Sequence, residues 1–304
     1  MKILVGKTFG IGNAVMAVPM IRALQTLGDV DVLIGTTPDD IGAYQVLSKV
    51  LRPHEQIYAS SALQCVYDVA IMAIPFDGRW RNGADFRAKE VLDGRTRPDP
   101  STVGLVSWEK HEAEYQMDNA RQLGFKGPMP DTSFLEPTLQ DPNKIYLGIG
   151  YKKDAAGFWK VKHWGNDNYV EFLKILFDRR PGVRVVTSGD FADLSMSIGP
   201  IGRRLNDSRF VCEPSYNIDH AFEIISGCGA YVGNDTGMMH VAASAGCTTL
   251  GLFFMGQKSV IKSGPLGTYT MTLESEDKVK ITPELVADQL IKLMEMRHDE
   301  EKRA

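Results

Sequence analysis

The sequence is sparing with cysteine, and what it has is scattered. Its four cysteines, Cys65, Cys212, Cys228 and Cys247, form no CxxC pair and no zinc-ligand spacing, which fits a reducing cytosol. Long apolar runs are missing as well. No segment approaches the roughly 20 apolar residues of a membrane span, and the apolar run in the opening "MKILVGKTFG" is too short for a signal peptide. A cytoplasmic protein is the expectation. Charge of one sign is also lacking. The formal net charge is −4 and neither half is strongly polarised, so nothing pulls the chain globally toward nucleic acid or anionic membrane. Two glycine fingerprints fail too. In "GKTFGIGN" a P-loop needs an earlier glycine where the chain has Met1, and a dinucleotide fingerprint starting Gly10-Ile11-Gly12 finds Val15 in place of its third glycine.

What is present is alternation. At 304 residues and 43% hydrophobic, the chain can bury a large core, and its length favours two domains. "KILVG", "DVDVLIG" and "YDVAIMAIP" read as strands, with helices at "NAVMAVPMIRALQTLG", "DDIGAYQVLSKVL" and "SWEKHEAEYQMDNARQLGF". "LEPTLQDPNK" (Leu135 to Lys144) is rich in proline and polar residues and reads as a linker. The pattern then restarts with strands "IYLGIG", "VRVVTSG", "FVC", "AYVG" and "TTLGLFF" between helices, and ends in a helix opened by Thr282, Pro283 and Glu284. Repeated strand–helix alternation on both sides of a linker predicts an α/β protein of two doubly wound domains facing a cleft.

Ligands of such sheets sit beyond the carboxyl ends of strands, where helices begin. "GNDTGMMHVAASAG" (Gly233 to Gly246) is at such a place. Asn234 or Asp235 suits a helix cap, and the amides of Thr236, Gly237 and Met238 would point out of a positively polarised first turn suited to phosphate. Gly237 permits close approach and His240 follows one turn on. The same residues also suit a plain cap with a buried histidine. At "KVKHWG" (Lys160 to Gly165), the Trp164 ring is expected to anchor a loop and aim Lys162 inward. Asn13 reads as the cap of the first helix. "RWRNGADFRAKEVLDGRTRP" (Arg79 to Pro98), with six basic and three acidic residues, reads as a long connection, either a lid suited to an anionic acceptor or a solvated loop.

With these residues assembled, the chain resembles the bacterial heptosyltransferases, the ADP-heptose:lipopolysaccharide glycosyltransferases of GT-B type (glycosyltransferase family 9). The blocks are "ILVGKTFGIGNAVMAVPMIRAL", "HEAEYQMDNARQLGF", "VKHWGNDNYVEFL" and "VGNDTGMMHVAASAGCTTLGLFF". The resemblance implies two Rossmann-like domains facing a central cleft. Residues 1–138 would bind the acceptor and 143–278 the nucleotide-sugar, and a helix in 279–304 would pack back on the first domain. It also implies sugar transfer with inversion in lipopolysaccharide biosynthesis, with no cofactor and no catalytic metal. An ADP-sugar is the expected donor and an anionic glycan or glycolipid hydroxyl the acceptor. Peripheral contact with the inner membrane face is a further expectation; nucleic acid is not an expected partner.

Residue by residue, the resemblance places Lys162 on the donor phosphates and Asp235 on sugar hydroxyls. The amides of Thr236 and Gly237 would take the diphosphate, with His240 supporting the turn. Ser188, Gly189 and Asp190, together with "EPSYN" at Glu213 to Asn217, fall where the family holds ribose and base, and Tyr216 would pack against the base. Gly10, Gly12, Arg79, Arg81 and Arg87 would line the acceptor side, with Asn13 at the reacting end. Two departures stand out. The family usually has aspartate, its candidate general base, where this chain has Asn13; and its small hydroxyl-rich loop is here "YKKDAAGFWK". The first departure opens a second reading, a nucleotide-sugar-binding protein that has lost turnover. A Rossmann oxidoreductase ranks last, because no intact fingerprint exists.

Overall fold

The computed structural model describes residues 1–6, 10–34, 38–58, 62–72, 85–93, 109–136, 138–150, 161–213 and 217–303. The chain divides into two compact units, Met1–Phe134 and Leu135–Ala304. The first comprises β1 (Lys2–Gly6), α1 (Ile11–Gln25), β2 (Asp29–Leu33), α2 (Pro38–Ser48), β3 (Ile57–Tyr58), β4 (Ala62–Met72), β5 (Asp85–Asp93) and α3 (Glu112–Gln122). Its strands run parallel in the order β3-β2-β1-β4-β5. The sheet reverses direction of growth between β1 and β4, so the crevice beyond Gly6 and Met72 is its topological switch point. Helix α1 is apolar on nearly every side, and Ala14 to Ile21, Ala23 and Leu24 are all buried. Arg22 alone breaks that run of side chains, and it reaches out to the Asp131 carboxylate and the Ser133 carbonyl, each at 2.6 Å.

The second unit comprises β6 (Asp141–Gly148), α4 (Asn166–Arg179), β7 (Arg184–Thr187), α5 (Phe191–Asp193), which runs through a π turn at Leu194–Ile198 into α6 (Gly199–Leu205), then β8 (Phe210–Cys212), α7 (Ile218–Ser226), β9 (Cys228–Asn234), α8 (Gly237–Ser244), β10 (Thr248–Phe253), α9 (Gln257–Ser263), β11 (Thr270–Glu274) and α10 (Pro283–Glu301). The strands are again parallel, in the order β11-β10-β9-β6-β7-β8. Here the switch point lies between β6 and β9. The helix expected in 279–304, which the resemblance would pack back on the first domain, is α10, and its Val286, Ala287 and Leu290 enter this unit's core beside Trp164, Phe172, Leu176 and Leu250. Among the described residues no helix is long and apolar enough to cross a membrane.

Three expectations need correcting. The basic stretch read as a connection contains β5, an edge strand paired with β4. Its charges obscured a period of two, in which Ala88 packs on the Tyr67 and Met72 cluster while exposed Lys89 pairs with Asp68 at 2.6 Å. Charged side chains on an edge strand discourage pairing with other chains. The stretch read as a linker already contains the first half of β6. Its Pro142 falls where the β6–β9 register shifts, between Asp141 and Ile145, which is where a strand tolerates proline. Finally, α1 is capped by Gly10, and Asn13 lies inside the first turn. Gly10 and Asn13 are both cap-compatible residues, and the chain starts its helix at the earlier one.

Candidate functional site

The carboxyl ends of β6 and β9 are joined through a row of glycines. Gly148, Gly233 and Gly251 lie abreast on β6, β9 and β10. A β-carbon on Gly233 would stand 2.2 Å from the Gly148 carbonyl oxygen, and one on Gly148 would stand 2.0 Å from the Tyr231 hydroxyl. Two residues earlier, Tyr146 and Tyr231 are also in register, with their rings stacked at 5.9 Å and 9°. Burial raises both phenols, Tyr146 to about 12 and Tyr231 further, so both hydroxyls keep their protons. The Tyr146 hydroxyl meets Ser188 Oγ at 2.6 Å. The Tyr231 hydroxyl donates to the Asn234 carbonyl at 3.3 Å and lies 3.5 Å from Thr236 Oγ1.

Beyond the row the chain turns into α8. The expected caps, Asn234 and Asp235, both precede the capping residue, which is Thr236, and Thr236 makes no side-chain cap bond. Asn234 is fully buried and works across the strands. Its Nδ2 donates to the carbonyls of Ile149 at 3.1 Å and Gly150 at 3.3 Å, and its Oδ1 accepts from the Tyr169 hydroxyl at 2.6 Å. Asp235 faces Lys162, whose Nζ lies 2.5 Å from Oδ2 and 3.3 Å from the Asp235 carbonyl oxygen. The two side chains are 17% and 10% exposed, so this pair is largely desolvated, and removing one partner would leave the other an uncompensated buried charge. His240 is buried.

The loop bearing Lys162 is held as its aromatic residues suggest. Trp164 is 2% exposed and donates from Nε1 to the Ile281 carbonyl at 2.9 Å. It packs edge-on against Tyr169 at 5.2 Å. His163 accepts at Nδ1 from the Gly165 amide at 3.1 Å, which leaves the proton on Nε2, 3.2 Å from Ser197 Oγ. The His163 carbonyl accepts from Lys278 Nζ at 2.5 Å. Ser188, Gly189 and Asp190 follow β7 at the same edge of the sheet. Asp190 is exposed; its Oδ1 accepts from the Asp193 amide at 2.8 Å while Asp193 Oδ2 accepts from the Asp190 amide at 3.3 Å.

The structure thus brings together Lys162, Asp235 and Thr236, with Gly237 opening α8 and Ser188 tied to the stacked tyrosines. In the first unit, Gly10, Gly12 and Asn13 lie at the start of α1, beyond the carboxyl end of β1. Arg87 is in β5, in register with Val66. Arg79, Arg81 and Tyr216 lie outside the described residues. The sequence reading passed over Tyr146, Tyr169 and Tyr231. A signal for two of them existed: "YLG" and "YVG" repeat the same Tyr-x-Gly at the ends of β6 and β9.

Among the described residues, one grouping has metal-ligand spacing: Asp29, His54 and Glu55, whose ligand atoms lie within 4.8 Å of one another. It sits at the amino end of β2. Arg52 approaches Asp29 and Glu55 at 3.9 and 4.0 Å, and Glu55 already accepts from Gln25, from the Val30 amide and from the Arg52 amide. A cation there would displace these bonds, so the group is read as the brace that joins α1 to β2.

Among curated proteins none matches the chain. Among solved structures, the ADP-heptose lipopolysaccharide heptosyltransferase II of E. coli is 19% identical, with 98% of this chain and 100% of that one covered and a TM-score of 0.72. E. coli heptosyltransferase WaaC with ADP is 14% identical, with 96% and 100% covered and a TM-score of 0.76. A family 9 glycosyltransferase from Veillonella parvula is 16% identical, with 97% and 96% covered and a TM-score of 0.68. At these identities the likeness is one of fold, that of the GT-B heptosyltransferases with two parallel sheets. The model of glycosyltransferase family 9 (heptosyltransferase) matches residues 113–291. That is more than half of the sequence and takes in every element from α3 to the first half of α10, so the chain belongs to glycosyltransferase family 9, the heptosyltransferases.

Proposed function

We propose that the protein transfers a heptose-like sugar from an ADP-sugar to an acceptor hydroxyl, with inversion and without a metal ion. The observation that carries this reading is the largely desolvated Lys162–Asp235 pair at the start of α8. In the proposed reaction the acceptor oxygen attacks the anomeric carbon, the bond from that carbon to the diphosphate oxygen breaks, and ADP leaves with the electron pair. Lys162 and the amides of Thr236 and Gly237 stabilise the departing charge, work that a cation performs in other enzymes. Asp235 holds the sugar hydroxyls, His240 supports the turn, and Ser188, Gly189, Asp190 and Tyr216 take ribose and base. The acceptor is an anionic glycan or glycolipid, met at the inner membrane face by Gly10, Gly12, Arg79, Arg81 and Arg87.

Calorimetric titration with ADP, with and without a chelator, tests the donor half of this reading. The expected result is the same affinity in both. An absolute need for a divalent ion would sink the metal-free mechanism, and no binding under either condition would sink the function.

The attacking hydroxyl loses a proton that Asn13, a neutral amide, cannot take. Loss of a general base typically costs about 10²–10⁴ in rate, so we infer a substitute carboxylate, either Asp190 or an acid of the 79–98 stretch. Asn13→Asp is expected to raise transfer or leave it level. It should also stabilise the fold by about 0.3–1 kcal/mol, because the first turn of α1 contains no acidic residue and a carboxylate there opposes the helix dipole. Initial rates and thermal melts check both. A large fall in rate with unchanged donor binding would mean that the amide has a role a carboxylate cannot fill. Full donor binding with no transfer by either protein would favour the second reading, a binding protein.

A further inference from the structure

We propose that Tyr169 is a positioning residue for the donor diphosphate, acting through Asn234 on the Lys162–Asp235 pair; this rests on the donor reading above. The ring and the hydroxyl of Tyr169 do different things. The ring, on the first turn of α4, is the surface on which the Lys162 loop lies, with Trp164 edge-on at 5.2 Å and His163 at 5.7 Å. The hydroxyl turns the other way and donates to Asn234 Oδ1 at 2.6 Å.

That single bond sets the orientation of a buried amide. With Oδ1 engaged by a donor, Nδ2 must face the carbonyls of Ile149 and Gly150, which fastens the chain leaving β6 to the chain leaving β9 across the switch point. Asp235 is the next residue, and its carboxylate is where Lys162 ends. One side chain therefore indexes both members of the pair: the lysine through its loop and the aspartate through its neighbour. Without the hydroxyl, Oδ1 is a buried acceptor with no donor, and rotating the amide to relieve it would turn Nδ2 away from the two carbonyls.

Tyr169→Phe removes the hydroxyl and keeps the ring, so the two roles separate in one titration series with ADP and adenosine. The expected result is a loss of about tenfold for ADP with adenosine unchanged. In the Lys162→Ala background Tyr169→Phe should then cost nothing further, since both changes disable one device. Asn234→Asp is the second arm. It keeps an acceptor for Tyr169 but sets a carboxylate oxygen against the carbonyls of Ile149 and Gly150, and it should show the same ADP-selective loss. If Tyr169→Phe does not fold, this arm decides. Equal losses for ADP and adenosine, or losses that add to that of Lys162→Ala, would overturn the proposal and leave the hydroxyl a fold support. ADP binding that responds to Lys162→Ala but not to Tyr169→Phe would overturn this inference alone. No ADP binding by the unaltered protein would overturn the donor reading and this inference together.

Discussion

Lys162→Ala is expected to weaken ADP binding about ten- to hundredfold while adenosine binding holds, because a charge-assisted contact is worth about 1.5–3 kcal/mol. The upper end is favoured by what the substitution leaves behind. Asp235 is 10% exposed and its Oδ2 has Lys162 Nζ at 2.5 Å. Without the ammonium, an uncompensated carboxylate stands at the helix start where the proposed diphosphate binds, and like charges repel. Lys162→Arg should recover only part of the loss, because a planar fork does not fill the place of a compact ammonium. Paired titrations read the difference, and equal loss for nucleoside and diphosphate would show that the lysine serves the fold only.

Gly233→Ala should cost about 3 kcal/mol or more, at or beyond the usual range for overpacking. The added methyl would meet the carbonyl oxygen, carbonyl carbon and α-carbon of Gly148, at 2.2, 2.7 and 2.7 Å. These are backbone atoms of a neighbouring buried strand, with no rotamer to change, so β6 and β9 would have to part. Gly182→Ala is the matched control. Nothing lies within 4 Å of its added carbon, and its stability should hold or rise by about 0.4–1 kcal/mol. Denaturant melts of both variants decide the matter: a Gly233→Ala midpoint equal to that of the unaltered protein would refute the close approach.

Much of the fold was legible because its signals are local. Apolar strands of three to nine residues between helical periods point to two parallel sheets, and Trp164 beside Lys162 points to a loop anchored by its ring. The failures share a cause. The β5 segment is hidden in the sequence because exposed Lys89 and the other charges of the stretch override its period. Pro142 disguised the start of β6, since a proline is tolerated there only through a register shift with β9 that no local pattern reveals. Asn13 and Gly10 both satisfy the local cap rule, and the sequence alone does not separate them. The Asn234 tie is the deepest case. It depends on a tyrosine 65 residues away and on carbonyls 84 and 85 residues away, so only tertiary register brings its partners together.

The glycine row has an evolutionary consequence. Gly233 lies against the backbone of Gly148, Gly148 against the Tyr231 ring and Gly251 against Met239, so the floor of the proposed donor site has little room for added side chains. A lineage that adopted another nucleotide-sugar could not reshape this floor by small drifting substitutions, because its first step, a single methyl, already meets main chain at Gly233 and packed side chains at Gly148 and Gly251. New specificity would have to arise outside these strands, as in the stretch of sequence after β6, where "YKKDAAGFWK" departs from the family's pattern. The seam would stay constant beneath a changing mouth, and ancestral reconstructions of this site should differ from one another in loops while agreeing on its strands.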